Sequence, residues 1–206
     1  MSSKQKLTSR QVQAIKTKNK IYKIAIDLME KKGFENITIE EISKKAGVSV
    51  GAFYHYFESK NDILIEIFNR FDSYFKNVVK DKLIKENPSD QIILFFDYYA
   101  KYCKITGIDT TKQVYNTKNK PFIAKDRYMI NLLNEIIKEG QEKNQLIKDI
   151  PAEEIGKYML IVARGIIFDW CLHEGDYDIE EATVKHFKRL IKIFKTENIF
   201  NKEGEM

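Results

Sequence analysis

Apolar residues recur at helical spacing along most of the chain. Ile21, Ile24, Ala25, Leu28 and Met29 fall at i, i+3, i+4, i+7 and i+8, the stripe of an amphipathic helix. Gly33 then suits the left-handed position that ends one. Thr38 with Glu41 three residues on is the pattern of a capping box, and Ile37 with Ile42 is the matching hydrophobic staple. The helix so launched is short, because Gly47 follows Ala46. Ser49 caps a second short helix, and Ser59 with Asp62 caps a long one. In that long helix Leu64, Ile67, Phe68, Phe71, Phe75 and Val78 keep one face apolar until Pro88. Beyond it, the pattern predicts a helix capped by Ser89 and running to Gly107, then a short one over about 109–118. Pro121 opens a further helix that ends at Gly140, Pro151 opens one through Trp170, and a last one places Phe187, Leu190, Ile191 and Phe194 on one face. The expected fold is all-α, with an N-terminal three-helix domain of the helix-turn-helix type joined by a long helix to a C-terminal helical bundle. The domain boundary falls between 1–60 and 61–206.

Composition agrees with this pattern. Of 206 residues 43% are hydrophobic and 32% charged, and the chain holds only 3 prolines and 9 glycines, which disfavours disorder and β-sandwiches. Apolar runs such as Ile92–Phe96 stop far short of the roughly 20 residues that cross a bilayer. The first residues are basic with no apolar stretch behind them, so no signal peptide is expected and the expected location is the cytoplasm. Cys103 and Cys171 stand far apart with no second ligand pair, which reads as two reduced, buried thiols rather than a disulfide or a zinc site; a redox switch is left open, with no motif to support it.

The charge is uneven. Residues 1–82 hold 16 basic and 10 acidic side chains, whereas 83–206 hold 19 and 20. Within residues 1–23 stand Lys4, Lys6, Arg10, Lys16, Lys18, Lys20 and Lys23 with no acid among them. A like-charged arm of this kind is either solvated or sits on a polyanion.

From Thr38 to Phe57 the chain reads helix, tight turn at Gly47, helix, which is a helix-turn-helix. Phe53 and Phe57 at i, i+4 anchor the second helix to the core. Val50, Gly51, Ala52, Tyr54, His55 and Tyr56 are left outside or partly outside. Small residues allow close approach to a major groove and contact with thymine methyls, while Tyr and His reach phosphates or base edges. His55 is no metal ligand on this reading, because His173 and His186 are over a hundred residues away.

The stretch Thr38-Ile39-x-x-Ile42-Ser43-x-x-Ala46-Gly47-Val48-Ser49-x-Gly51-x-Phe53-Tyr54-x-Tyr56-Phe57-x-x-Lys60-x-x-Leu64 closely resembles the DNA-binding domain of TetR-family transcriptional repressors. The resemblance covers about residues 16–70, and only the helical layout beyond. It implies a recognition helix over about 50–56, with Tyr54, His55 and Tyr56 at DNA-contacting positions and Ser49 at its start. By the same resemblance, Lys60 reaches a phosphate and Thr38 lies beside the backbone, where free helix amides favour an anion. The family often carries His where Tyr56 stands and Tyr or Trp where His55 stands, and often a base-reading side chain at position 50. Here Val50 offers apolar contact alone, so specificity leans on thymine methyls and DNA shape. With this motif behind it, the basic arm reads as approaching the DNA backbone or minor groove.

The resemblance also implies a two-fold homodimer on a palindromic double-stranded operator. Its four-helix interface is expected from spans 152–173 and 180–196, with recognition helices roughly 34 Å apart or a multiple of it. The middle helices of such proteins enclose a small-molecule effector. Phe95, Tyr99, Tyr102, Tyr128, Phe168 and Trp170 are the candidate lining, favouring a hydrophobic or aromatic effector that releases the repressor from DNA. The same aromatic residues equally suit a helical core. No cofactor or metal is expected, and no nucleotide-cradle, zinc or redox motif points to an enzyme. The competing class is a helical interaction protein of the same fold that lacks operator binding; the retained Tyr54, Tyr56, Lys60 and basic arm weigh against it.

Overall fold

A computed structural model of the chain describes residues 8–84, 87–115, 120–124 and 126–196. Lys4 and Lys6 lie outside them. Among the described residues every regular element is helical, and one isolated bridge pairs Leu146 with Lys195. The all-α expectation holds. The chain divides into two compact units, Met1–Ile67 and Phe68–Met206.

The first unit contains α1 (Ser9–Lys32), α2 (Ile39–Ala46), α3 (Val50–Tyr56) and the beginning of α4 (Asn61–Tyr74). α1 starts well before its buried stripe of Ile21, Ala25, Leu28 and Met29. Thr8 and Gln11 form a full capping box at its N-terminus. From Ser9 onward the basic stretch is therefore helix, not extended arm. The reason is local: capping and unbranched polar side chains sustain helix without an apolar face. The first unit closes around Phe53, Ile42, Ala46 and Ile63, all fully buried.

In the second unit α4 passes through a π-helical turn, Phe75–Val79, into α5 (Lys80–Leu83). Then come α6 (Pro88–Thr106), α7 (Ile108–Val114), α8 (Tyr128–Glu142), α9 (Ala152–Leu172) and α10 (Ile179–Phe194). α6 and α10 pack along their lengths, and the Phe96 and Phe187 rings stack 3.8 Å apart at 13°.

Three expected boundaries shift. Asn87, not Ser89, caps α6, with Oδ1 accepting from the Asp90 amide at 3.1 Å. Pro88 prefers the first helical position, which puts the cap at Asn87, two residues before the expected one. Pro121 sits in a short 3-10 turn, Lys120–Ile123, and α8 begins only at Tyr128. That start has no local side-chain cap; instead Asp72 of α4 accepts from the Met129 amide at 3.2 Å. Gly140 lies inside α8 instead of ending it. A Cβ there would come within 2.7 Å of Leu146 Cδ1 and 3.1 Å of Pro88 Cβ, so close packing explains the glycine.

Candidate nucleic-acid interface and ligand cleft

The turn between α2 and α3 is built as its residues dictate. Gly47 takes φ 64°, ψ 39°, a left-handed conformation that side chains resist. Its amide and that of Val48 close the end of α2 by donating to the Lys44 and Ser43 carbonyls. Thr38 caps α2, its hydroxyl accepting from the Glu41 amide at 3.1 Å, and Ser49 caps α3 by accepting from Ala52 at 3.0 Å. The expected capping box at α2 is only half made. The Glu41 carboxylate is drawn to Lys32 at 2.7 Å and Lys45 at 3.8 Å, and the Lys32 hydrogen bond holds it below the usual carboxylate range.

α3 is pinned from one side and open on the other. Phe53 and Phe57 are buried with rings 5.7 Å apart, whereas the Tyr54 side chain is 52% exposed. Ser49, Gly51 and His55 are also exposed, and Val50, Ala52 and Tyr56 are half-buried. Thr38 is exposed at the head of α2. The Lys20 ammonium lies above the Gly47 turn, 3.5 Å from where a Cβ would stand. Exposed Arg10, Lys16 and Lys23 lie on α1, and exposed Lys44 and Lys45 end α2. Lys18 is committed inward, 2.7 Å from Glu66 and over the Phe57 ring.

Lys60 is turned partly inward. Its ammonium donates to the Phe34 carbonyl at 2.7 Å and the Ile37 carbonyl at 3.0 Å, and sits 4.5 Å from the Phe34 ring centroid. It ties the start of α4 to the connection that leads into α2. One of its three protons is left for an outside acceptor.

The second unit carries a cleft of about 830 Å³ between α8 and α9, walled by Phe122, Ile130, Leu160 and Arg164 among others. A small inner cavity of about 10 Å³ shares those four residues and adds Tyr99, Arg127 and Met129. Of the six aromatic residues expected to line a pocket, only Tyr99 reaches either space. Its hydroxyl meets that of Tyr115 at 2.7 Å, and burial raises both phenols above their ordinary pKa. Phe95 is fully buried against Phe75 and Phe96, and Tyr102 packs on Phe71 and Tyr74. Trp170 donates to the Tyr177 carbonyl, and Tyr128 is half-buried near Lys76. Phe168 is 51% exposed, away from any interior. The aromatic run serves the core because Phe95, Tyr99 and Tyr102 meet Phe75, Phe71 and Tyr74 of α4 and its π-helical turn, while Phe96 stacks on Phe187 of α10. Both thiols are free and buried, and desolvation pushes Cys103 up to about 12 and Cys171 to about 11. Such groups are inert at neutral pH.

Residues 21–67 match the family described as "Bacterial regulatory proteins, tetR family". Over 187 residues the chain is 39% identical to the uncharacterised HTH-type transcriptional regulator YerO of Bacillus subtilis, covering 82% of this chain and 61% of that one. The chain belongs to the TetR family of transcriptional regulators. The HTH-type transcriptional repressor NicS of Pseudomonas putida is 27% identical over 150 residues, which is 68% of this TetR-family chain and 71% of NicS. The crystal structure of FadR from Bacillus subtilis with stearoyl-CoA superposes with a TM-score of 0.72 at 17% identity, covering 84% of this chain and 97% of that one. Thermus thermophilus FadR with lauroyl-CoA gives 0.64 at 20% identity, covering 85% and 93%. These structural likenesses establish the fold.

In this TetR-family regulator the matched segment ends at Ile67, where the first compact unit also ends. Sequence reasoning missed the polar side of the cleft. Arg164, Arg127, Asn131 and Asn134 line the two spaces, and none of them stands in the aromatic pattern. One signal was present: Arg164 is the only charge in the apolar stretch 158–168.

Proposed function

We propose that this chain is a repressor that binds a palindromic operator as a homodimer and leaves it when a small effector occupies the α8–α9 cleft. The observation that carries the reading is the two-sided α3: Phe53 and Phe57 lock it to the core while Tyr54, His55 and Gly51 face outward. An anchored helix with a free polar and small-residue face suits a major groove. Ser49, Val50, Ala52 and Tyr56 complete the reading surface. Thr38 presents the α2 amides to a phosphate, and Lys60 reaches a second with its remaining proton.

The dimer surface we assign is on α9. Tyr158, Ile161, Gly165, Phe168 and Leu172 follow one another at alternating spacings of three and four, the seam of a helix pair. Ile161 and Phe168 are each 51% exposed, Leu172 is 64% exposed, and nothing lies within 4 Å of a Cβ at Gly165. An apolar seam left open to water is what a two-fold partner covers. The last helix, α10, adds exposed Ile193. Acyl-CoA ligands in the two FadR structures support an effector with a substantial apolar part.

The test is capture of fragmented host genomic DNA on the purified protein, followed by sequencing of what is retained. One or a few palindromic sites are expected. Tyr54→Ala should weaken binding to the recovered site by about tenfold, within the roughly 1–3 kcal/mol of a lost base or backbone contact, with helical content and dimerisation unchanged. Retention with no sequence preference, or undiminished binding by the variant, overturns the reading.

A further inference from the structure

Two guanidinium groups face the inner cavity of the second unit, and they differ in what neutralises them. Arg127 is committed: its Nε lies 3.0 Å from Asp72 Oδ2, and its side chain is 10% exposed. Arg164 has carbonyl partners alone. Its Nε donates to Leu160 O at 3.0 Å and its Nη1 to Phe122 O at 3.5 Å, and no described carboxylate lies within ion-pair distance. A guanidinium carries five N–H donors in a flat fork, so three remain, enough for a bidentate carboxylate.

Its position makes the omission informative. Arg164 is half-buried in the wall shared by the inner cavity and the 830 Å³ cleft. The other shared walls, Phe122, Ile130 and Leu160, are apolar. A charge held partly out of water without a counter-ion is costly, and an arriving anion removes that cost. The outer cations are otherwise placed. Lys138 pairs with Glu153 at 2.6 Å, and Lys157 is exposed at the rim.

We propose that the cleft binds an amphipathic carboxylate, its apolar body against Phe122, Ile130 and Leu160 and its carboxylate on the free edge of Arg164. The inference rests on the reading of this cleft as the effector site and names the chemical class that site selects. A neutral molecule of the same shape leaves Arg164 unpaired, and a fully polar anion gains nothing from the walls.

The test titrates the full-length protein by calorimetry with decanoate, 1-decanol and decanoyl-CoA. Decanoate is expected to bind, with 1-decanol weaker by about tenfold or more, the effect of losing a charge-assisted bidentate contact. Arg164→Met should weaken decanoate by a similar factor while leaving 1-decanol unchanged, and Arg164→Lys should recover part of the loss. Circular dichroism and operator binding without ligand, measured on both variants, show whether the fold survives. Equal binding of decanoate and 1-decanol, or full decanoate affinity in a folded Arg164→Met, overturns the proposal. So does binding of decanoyl-CoA alone with no dependence on Arg164, which would place the anion at the Lys157 rim. If none of the three binds while palindromic sites are still retained, the ligand proposal fails and the operator reading stands. If decanoate binds through Arg164 but no operator is retained, the failure belongs to the repressor reading.

Discussion

Lys60 shows how one side chain can brace a helix-turn-helix from within while keeping one proton for an outside acceptor. Two of its protons go to main-chain carbonyls at Phe34 and Ile37, on the approach to α2, and its charge rests on the Phe34 ring. Removing it takes donors from both carbonyls. Lys60→Met should therefore destabilise the protein by about 1.5–3 kcal/mol, the range for a hydrogen bond to a charged group. Tyr54→Ala, which removes a mostly exposed ring, should melt close to the parent protein. Thermal unfolding followed by circular dichroism separates the two. A Lys60→Met protein with parental stability and weakened operator binding would instead make Lys60 a phosphate ligand only.

At the scale of elements, the helix ends are set by partners as much as by local signals. α8 starts where Asp72 of α4 supplies an acceptor to the Met129 amide and an ion pair to Arg127. The same helix runs through Gly140 because Leu146 and Pro88 press against that position. Helix propensity alone would favour alanine there by about 1 kcal/mol. The fully buried Leu146 cannot retreat, and overpacking typically costs about 1–3 kcal/mol. Gly140→Ala should therefore lower the melting temperature despite the better helix former. A rise in its melting temperature would show that the Leu146 contact gives way freely.

For the whole molecule, the proposed dimer makes the apolar seam on α9 the feature that lets two copies of α3 act together. Charges at Ile161 and Phe168 would be buried unpaired in a dimer but solvated in a monomer. Ile161→Glu with Phe168→Glu should give a folded monomer by sedimentation equilibrium and a steep loss of affinity for the palindrome, because one half-site is then bound at a time. A dimer that persists through both changes moves the interface elsewhere.

The helix-turn-helix was legible in the sequence because its signals are local. A left-handed glycine, capping hydroxyls at Thr38 and Ser49, and phenylalanines four apart each act within a few residues, and the structure places Phe53, Phe57 and Gly47 as those signals require. The order of the main helices followed from periodicity for the same reason, although the π-helical turn at Phe75–Val79 left no such mark. The α8–α9 cleft was not legible, since periodicity marks a buried face without saying whether a neighbouring helix or an empty space covers it. Phe95 met Phe75 and Phe96, Phe168 met solvent, and Tyr99 met the inner cavity, although all three belong to apolar stripes. The commitment of cations was equally hidden. Arg127 finds Asp72 and Lys60 finds two carbonyls across gaps of 55 and more than 20 residues, whereas Arg164 finds no carboxylate among the described residues. Local chemistry set the turn and α3; long-range packing alone determined which charges were neutralised and where a cavity was left.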